Sequence, residues 1–250
     1  MDRVLFDYVL RLGDDALILG QRLTEWCGRA PTVEVDLTLA NLGLDLIGQA
    51  TLFLDHAAKI EGGMRDADKL AFHRDAASFR NCVLVEQPNG DFAHTIVRQF
   101  LFSAWQRLKF ERLAFSRDET IAAIAAKALK EIKYHADVAG EWMVRLGDGT
   151  DESNQRLTDG VSWMWRFMPE LFATDEVDAE MINRGIGVDP AAFRADYDSL
   201  IASIFAQAKI AVPDQPRNFA NGRRGHHSEH LGHLLCVMQY LPRTYPDATW

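Results

Sequence analysis

Three carboxylates and one histidine are the residues of this sequence whose types and spacing suit metal chemistry. Asp15 and Asp45 each lie about fifteen residues from a turn centred near residue 30, so an antiparallel helix pair would bring them to one level. Glu131 lies about fourteen residues after a second turn near residue 117, and His135 follows it by one helical turn. Helical bundles that activate oxygen hold two irons with such carboxylates and with Glu-x-x-His pairs. The pattern therefore indicates the frame of a di-iron site.

The ligand set of this frame is incomplete. The corresponding level of the third helix carries Gln99 and Ser103, and neither is a carboxylate. One turn after Asp45 the sequence has Gly48 and Gln49, so this depth offers no second histidine. Three acids and one histidine suit at most one weakly held ion. We therefore predict no catalytic, cofactor-binding or metal-binding residue in this chain. The candidates for a vestigial metal site are Asp15, Asp45, Gln99, Ser103, Glu131 and His135.

A buried polar network is the simpler interpretation of these side chains. Asn41, Asp45 and Gln49 recur at steps of four and form a polar stripe through an otherwise apolar helix. Buried polar groups must find hydrogen-bond partners. The candidate partners are Arg98, Lys127 or Tyr134. Asp14, in contrast to Asp15, is predicted to point to solvent.

Helices must position these residues, because apolar residues recur at steps of three and four along nearly the whole chain. Asp91 is a predicted N-cap. The stretch Leu37–Leu54 is apolar on almost every side, so the second helix is expected to be the most buried element. The acidic stretch Thr174–Glu180 is expected at the surface. The predicted helices are Leu5–Trp26, Val33–Ile60, a shorter one within 64–90, Phe92–Phe115, a fourth long helix ending at Leu146, Asp151–Phe172, Pro190–Lys209 and His226–Leu241, which Pro242 ends.

Two antiparallel helix pairs with short loops, joined by a longer crossover, have the connectivity of a ferritin-like four-helix bundle. The chain has 250 residues, 48% of them hydrophobic, which is enough for one large core. We therefore predict an all-α fold in a single ferritin-like domain over residues 1–250. The core bundle is expected at about 5–147, with additional C-terminal helices at about 151–242.

Composition narrows the choice of partners. The net charge is −9 and the sequence pI is near 5.4, which argues against nucleic acid as a partner because phosphate binding needs concentrated Lys and Arg. No uncharged apolar run approaches the ~20 residues of a membrane span. The N-terminus lacks the uninterrupted apolar core of a signal peptide. Cys27, Cys82 and Cys236 are isolated from one another, which suits a reducing cytoplasm.

The last predicted helix begins with a group of histidines. His226, His230 and His233 share one face of a regular helix, so a zinc site is one interpretation. The spacing is not that of His-Glu-x-x-His, and no fourth ligand can be assigned. A helix start with Ser228 and Glu229 at the positive end of the helix dipole is the simpler interpretation.

Arginines and aromatic residues give two further alternatives. The loop 212–225 is rich in Pro, Gly and Arg. Its arginines either meet an anionic ligand or acidic partner or are simply solvated; they are Arg217, Arg223 and Arg224. The aromatic residues are too dense for one buried face, so some are expected to cover a partner surface while others belong to the core. They are Trp163, Trp165 and Phe167.

Several long strings of the sequence resemble one bacterial family, the C subunits of ring 1,2-phenylacetyl-CoA epoxidases. The strings are LGDDALILGQRL (12–23), ANLGLDLIGQA (40–50), VEQPNGDF (85–92), RQFLF (98–102), AAKALKEIKYH (125–135), RLGDGT (145–150) and HLGHLLCVMQY (230–240). The resemblance covers nearly the whole chain and is weakest over residues 174–220. It implies a ferritin-like fold and a non-catalytic role. It also implies a homologous A subunit that holds a di-iron centre and epoxidises the ring of phenylacetyl-CoA, further small subunits, and a reductase that draws electrons from NADPH.

The resulting hypothesis is a structural subunit that pairs with the catalytic A subunit and keeps that subunit in shape. The docking face is expected on helices one to three, and a homodimer through the same surface is expected for the chain alone. Two other functions fit parts of the sequence. One is an active ferritin-like metal-dependent oxygenase that uses Asp15, Asp45, Glu131 and His135. The other is a stand-alone acyl-CoA binding protein that uses the Arg217–Arg224 loop.

Overall fold

A computed structural model describes residues 1–214, 216–217, 219–246 and 248. These residues form α-helices and short 3-10 turns without a β-strand, and an isolated antiparallel bridge joins Asn221 to His226. The first six helices are α1 Arg3–Thr24, α2 Val33–Glu61, α3 Ala67–Phe72, α4 Val83–Glu86, α5 Phe92–Leu113 and α6 Glu119–Gly147. The others are α7 Asp151–Met164, α8 Met168–Leu171, α9 Glu176–Asn183, α10 Arg194–Gln207, α11 Glu229–Met238 and α12 Tyr240–Thr244.

The long helices begin and end close to the predicted residues because local capping fixes their ends. The Thr32 hydroxyl accepts the backbone N–H of Val35 at the start of α2, and Gly62 ends this helix in the left-handed conformation. The predicted N-cap is confirmed, since Asp91 Oδ1 accepts the N–H of His94 at 3.0 Å. The shorter elements differ more from their predicted bounds. The predicted 151–172 helix breaks after α7, and the predicted 226–241 helix divides into α11 and α12. Pro242 does not end a helix but lies inside α12, near its N-terminus.

The contacts of the chain cluster in two compact units. The terminal unit combines residues 1–88 with residues 220–250, and the central unit contains residues 89–219. The single ferritin-like domain over 1–250 stays a prediction. Each unit is described by itself below.

Small residues bring α1 and α2 of the terminal unit into close contact. A side chain added at Gly43 would place its Cβ 2.8 Å from Thr24 Cγ2 and 3.3 Å from the Gly20 carbonyl, so the backbones meet here. Thr24 ends α1, and Gly43 is the eleventh residue of α2. The first ten residues of α2 therefore run past the end of α1. The intervening loop returns beside them, because Asp36 Oδ2 accepts the N–H groups of Gly28 at 2.8 Å and Ala30 at 3.3 Å.

This packing leaves much of α2 exposed. The exposed fractions of Val33, Leu37 and Leu44 are 72%, 61% and 65%. The prediction that α2 is the most buried element is wrong, because α1 covers one face of α2 and does not reach its first turns. Among the described helices, α2 is also the one that is long and apolar enough to cross a membrane. Core helices of soluble proteins can have the same length and composition. An apolar composition on all sides thus does not mean burial on all sides.

Aromatic residues fill the core of the central unit, where α6, α7 and α10 pack against α5. Tyr197 is fully buried and donates to the Leu101 carbonyl at 3.2 Å, and burial raises the pKa of its hydroxyl well above the usual value. The predicted aromatic cluster divides between core and surface. Phe167 is buried, whereas Trp163 is 38% exposed beneath the Arg166 guanidinium.

Candidate functional site

Asp15 is a buried carboxylate whose two oxygens are both occupied by groups of the terminal unit. Its Oδ1 accepts the backbone N–H of Cys82 at 2.8 Å, and its Oδ2 accepts from Arg223 Nη2 at 2.7 Å. Arg223 also donates to the carbonyls of Arg11 at 3.3 Å and Arg80 at 3.0 Å. Arg223 of the loop 212–225 therefore points into the protein. The predictions that the loop arginines are solvated or bind a free anionic ligand are both wrong for this residue.

Asp14 is also buried, so the prediction that it points to solvent is wrong. Its carboxylate forms a two-point ion pair with Arg74, with Nη1 to Oδ2 at 2.9 Å and Nη2 to Oδ1, and it accepts the Arg80 N–H at 2.8 Å. The physical reason is that α1 is covered on both sides. Helix α2 lies on one side, and the segment 74–82 lies on the other.

Glu86 is a second buried carboxylate of this unit, and sequence reasoning missed it. Its Oε1 accepts from the backbone N–H and the hydroxyl of Ser228 at 2.6 and 2.8 Å. Its Oε2 accepts from Asn81 Nδ2 at 2.8 Å and lies 2.7 Å from His227 Nδ1. The other ring nitrogen of His227 faces the Phe79 carbonyl at 3.1 Å. Both ring nitrogens of His227 therefore lie within hydrogen-bond distance of oxygen acceptors, an arrangement that a protonated imidazole satisfies in full.

Several contacts hold the segment 220–239 onto residues 1–88, and we call three of them the C-terminal clamp. They are the Asp15–Arg223 ion pair, the contacts of Glu86 with His227 and Ser228, and the hydrogen bond from Arg22 Nη2 to the His230 carbonyl at 2.9 Å. Gly225 adopts a left-handed φ of 81°, and a Cβ there would lie 2.3 Å from the Ala77 carbonyl. Only glycine allows this close approach of the two segments.

Asp45 and Asp15 do not lie at one level, so the expected pairing of these acids is wrong. Gly43 lies opposite the stretch from Gly20 to Thr24, which places Asp45 near the level of Gln21. That level is about 9 Å along α1 from Asp15. The prediction assumed a symmetric hairpin, but α2 begins well before the position opposite the end of α1.

The polar stripe of α2 is only partly buried. Asn41 is exposed, Asp45 is half-buried and Gln49 is buried. The expectation of a stripe buried along its whole length is therefore wrong, because the uncovered face of α2 includes its N-terminal end. Of the expected partners, Arg98 is buried and donates to Asn89 Oδ1 at 2.5 Å, while Lys127 and Tyr134 are exposed on α6.

The remaining vestigial-site candidates belong to the central unit. His135 is fully buried on α6, and Glu131, one turn earlier, is half-buried. The Ser103 hydroxyl donates to the Gln99 backbone carbonyl at 2.7 Å, so its hydrogen bond is made within α5. The Gln99 side chain is buried, and its amide oxygen and nitrogen have no hydrogen-bond partner in the described part of the chain.

The histidines of the last segment do not form a metal site. Helix α11 begins at Glu229, so His226 lies outside the helix and does not share a helical face with His230 and His233. His226 instead donates its N–H to the Asn221 carbonyl at 3.2 Å. Over the described residues, no group of three or more His, Cys, Asp or Glu side chains could hold a metal ion.

The carboxylate of Asp15 is not open to a metal ion. A metal ligand needs a carboxylate oxygen free to face the ion, and the oxygens of Asp15 already accept an amide and a guanidinium. Ser103 and Gln99 are not carboxylates, and Asp45 is displaced along its helix. At Asp15 the terminal unit therefore has an internal ion pair where a metal site would need an open ligand.

Comparisons with known proteins agree with the resemblance found in the sequence. A family model described as phenylacetic acid catabolic protein matches residues 1–250. The C subunit of the 1,2-phenylacetyl-CoA epoxidase of Escherichia coli (strain K12) is 49% identical over 243 residues, which is 97% of this chain and 98% of that protein. The ferritin-like, all-α fold class is confirmed with it. The chain therefore belongs to the phenylacetic acid catabolic protein family.

Proposed function

We propose that this chain is a non-catalytic structural subunit of a multicomponent 1,2-phenylacetyl-CoA epoxidase, acting in the cytoplasm in aerobic phenylacetate breakdown. Similarity to an epoxidase C subunit over nearly the full length of both chains supports this assignment. The catalytic A subunit, a homologue, holds the di-iron centre in this proposal. Small and reductase subunits complete the enzyme.

The saturated carboxylate of Asp15 carries the non-catalytic part of the proposal. The Arg223 guanidinium neutralises this buried charge at 2.7 Å, and the Cys82 N–H satisfies the other oxygen. An ion entering here would have to displace a cation that the chain itself supplies, and the arginine would then lose its buried partner. The residues of this chain thus hold a scaffold in one shape and leave the oxygen chemistry to the partner.

The exposed apolar face of α2 supports the role of a subunit. Monomeric soluble proteins rarely expose contiguous apolar patches of large side chains, and such patches commonly mark interfaces. Val33, Leu37 and Leu44 lie on one helix and are each more than half exposed. A helical partner that covers them is expected in the complete enzyme.

Co-expression with the catalytic A subunit of a phenylacetyl-CoA epoxidase tests the proposal. The expected result is one complex that contains both chains by size-exclusion chromatography with light scattering, with all its iron lost when the A ligands are substituted. Two tightly bound irons per chain, after purification of this chain alone with added iron, would establish an active oxygenase instead. Micromolar binding of phenylacetyl-CoA by this chain alone would establish an acyl-CoA binding protein. Absence of a complex with the A subunit would contradict the proposed function.

A further inference from the structure

A cleft of about 680 Å³ opens in the central unit between α5, α6 and α10, and we call it the central cleft. All three helices contribute apolar residues to its lining. These residues are Phe100, Ala136, Gly140, Val144, Leu200 and Ile204. Pockets of roughly 300–1,000 Å³ with a mostly apolar lining and a few polar groups are typical of sites for small organic molecules. The volume and lining therefore indicate a ligand with an apolar body.

Gly140 deepens the central cleft from within α6. A Cβ added here would lie 3.5 Å from Phe100 Cε2 and 3.7 Å from Ile204 Cδ1, which are ordinary van der Waals distances. Packing therefore does not require a glycine at this position, in contrast to Gly147, where a Cβ would lie 2.0 Å from the Ala208 carbonyl oxygen. Glycine is also a poor helix former in the interior of a helix. The space that Gly140 leaves beside Phe100 and Ile204 is the feature that distinguishes it from an alanine.

The two ends of the central cleft differ in charge. At one end Arg107 is already matched, because its Nε lies 3.4 Å from Glu111 Oε1 and its Nη1 lies 3.7 Å from Asp137 Oδ1. At the other end the Arg145 guanidinium has no hydrogen bond or ion pair with any residue that the structure describes. Asp137 and Arg145 both belong to α6, and their positions are about 12 Å apart along its axis. The unmatched cation therefore lies at one end of the apolar lining.

An aromatic contact holds the Arg145 guanidinium in place without neutralising its charge. The guanidinium carbon lies 4.6 Å from the centroid of the Trp142 ring, and Phe92 packs edge-on against the same ring at 5.0 Å. A cation over the face of a ring uses none of its N–H donors for hydrogen bonds to that ring. The planar fork of donors on an arginine matches the two oxygens of a carboxylate. Arg145 is thus oriented to receive a carboxylate.

We propose that the central cleft binds a small carboxylate with an apolar body, its carboxylate on Arg145 and its body over Gly140. Glu141 lies one turn before Arg145 and lines the cleft together with Asp137. These two acids repel ligands that carry several negative charges, which favours a monoanion over a phosphate-rich ligand such as an acyl-CoA. The stretch of α6 from Ala136 to Arg145 is about 14 Å long, which suits an aliphatic chain of medium length.

This ligand site is separate from the proposed function. It lies within the central unit and uses no residue of α2 or of the C-terminal clamp. Ligand binding is measured on this chain alone with a molecule that contains no CoA, whereas the pairing with a catalytic subunit is measured on a mixture of two chains. Either proposal can therefore fail while the other stands.

Isothermal titration calorimetry of the full chain with octanoate tests the site, with octan-1-ol as the neutral ligand of equal chain length. Octanoate is expected to bind with a dissociation constant below about 1 mM, and octanol at least about tenfold more weakly. Arg145→Met should weaken octanoate binding at least about tenfold and leave octanol binding unchanged, because methionine keeps an apolar stem beside Trp142. Arg166→Met is the matched control, since Arg166 lies over the Trp163 ring at 4.3 Å but does not line the cleft. This variant should bind both ligands as the parent chain does.

Gly140→Ala tests the position of the apolar body. The added methyl group makes ordinary contacts with Phe100 and Ile204, so the variant should fold, which thermal unfolding verifies. It is expected to weaken octanoate and octanol by a similar factor of about three or more, because it occupies space that the ligand chain would fill.

Three outcomes would contradict this assignment. Absence of octanoate binding up to about 5 mM, or equal octanoate affinities of Arg145→Met and the parent chain, overturns the proposal. Tighter binding of octanoyl-CoA than of octanoate overturns the preference for a single charge. A Gly140→Ala variant that binds both ligands as the parent chain does overturns the placement of the apolar body.

Discussion

Individual buried carboxylates of the terminal unit are each matched by a basic side chain from a distant part of the chain. Asp14 pairs with Arg74, Asp15 with Arg223, and Glu86 with His227. A buried ion pair contributes little net stability compared with apolar packing, but removing one partner leaves an uncompensated charge and costs much more. The free energy of unfolding should therefore fall strongly when one member of such a pair is replaced. It should change less when both members are replaced by apolar residues.

Arg223→Met is expected to destabilise the protein by about 3–5 kcal/mol, because it leaves the Asp15 carboxylate buried beside an apolar side chain. Asp15→Leu combined with Arg223→Met should recover most of this loss. Urea unfolding followed by circular dichroism measures both. Arg217→Met is the control, since Arg217 is exposed and its substitution should change the free energy of unfolding by less than about 0.5 kcal/mol. Equal effects of the two arginine substitutions would contradict the assigned role of Arg223.

The Gln99 amide presents the opposite case, a buried polar group without a described partner. Such a group costs about 1–3 kcal/mol of desolvation that no hydrogen bond returns. Gln99→Leu, which keeps a similar volume, is therefore expected to leave the free energy of unfolding unchanged or to raise it by up to about 2 kcal/mol. Thermal and urea unfolding against Gln49→Leu on α2 provide the comparison. A loss above about 1 kcal/mol would show that the Gln99 amide makes a bond that matters.

At the scale of elements, local chemistry made the helices predictable. Their mutual register was not predictable, because it depends on contacts between residues far apart in the sequence. Apolar spacing and caps such as Thr32 and Asp91 lie within a few residues of the ends that they determine, so α1, α2, α5 and α6 could be read directly. The register of α1 on α2 depends on the Gly20–Gly43 contact and on the loop beside Asp36, which no spacing encodes. The predicted meeting of Asp15 and Asp45 failed for this reason.

The N-cap of α5 should be sensitive to pH. Burial raises the pKa of Asp91, but the hydrogen bonds from the backbone N–H and ring of His94, with the charges of His94 and Arg156, lower it by more. A lowered folded-state pKa stabilises the protein above the unfolded pKa of about 3.9, and this contribution disappears as the pH falls through the folded value. Asp91→Ala is therefore expected to cost about 1 kcal/mol at pH 7 and less as the pH falls below about 4.

Urea unfolding at several pH values measures this difference between Asp91→Ala and the parent chain. Asp91→Asn is the matched control, because an asparagine keeps a cap acceptor without a titrating charge. Its stability relative to Asp91→Ala should vary little with pH. A constant cost of Asp91→Ala from pH 7 to below pH 4 would contradict the role of the ionised carboxylate.

At the scale of the whole molecule, the terminal unit is assembled from both ends of the chain. Asp15 and Arg223 are 208 residues apart, and Arg22 and the His230 carbonyl are also 208 residues apart. Sequence patterns indicate contacts between residues within a few helical turns of each other, so they do not predict the clamp. The local signals that the sequence did offer were Glu86 within an apolar run and His227-Ser228 before a helix. Similarity to a relative over nearly the full chain identified the family, but it gave no information about the residue pairs of the C-terminal clamp.

Removing residues 220–250 should prevent cooperative folding of the terminal unit. The truncation leaves the buried carboxylates of Asp15 and Glu86 without Arg223, His227 and Ser228. Each uncompensated charge costs about 3–5 kcal/mol, and natural domains have only about 5–15 kcal/mol of stability to lose. A chain that ends after residue 244 keeps every contact of the clamp and is the control.

Limited proteolysis with mass spectrometry follows the outcome residue by residue. In the chain that ends at residue 219, we expect early cleavage within residues 1–88, while the control resists cleavage there. A peptide of residues 220–244 added in trans should restore protection, and its Arg223→Met version should restore less, because the peptide then brings no cation to Asp15. Equal protection of the truncated and control chains would show that the apolar contact between α1 and α2 holds this unit without the clamp.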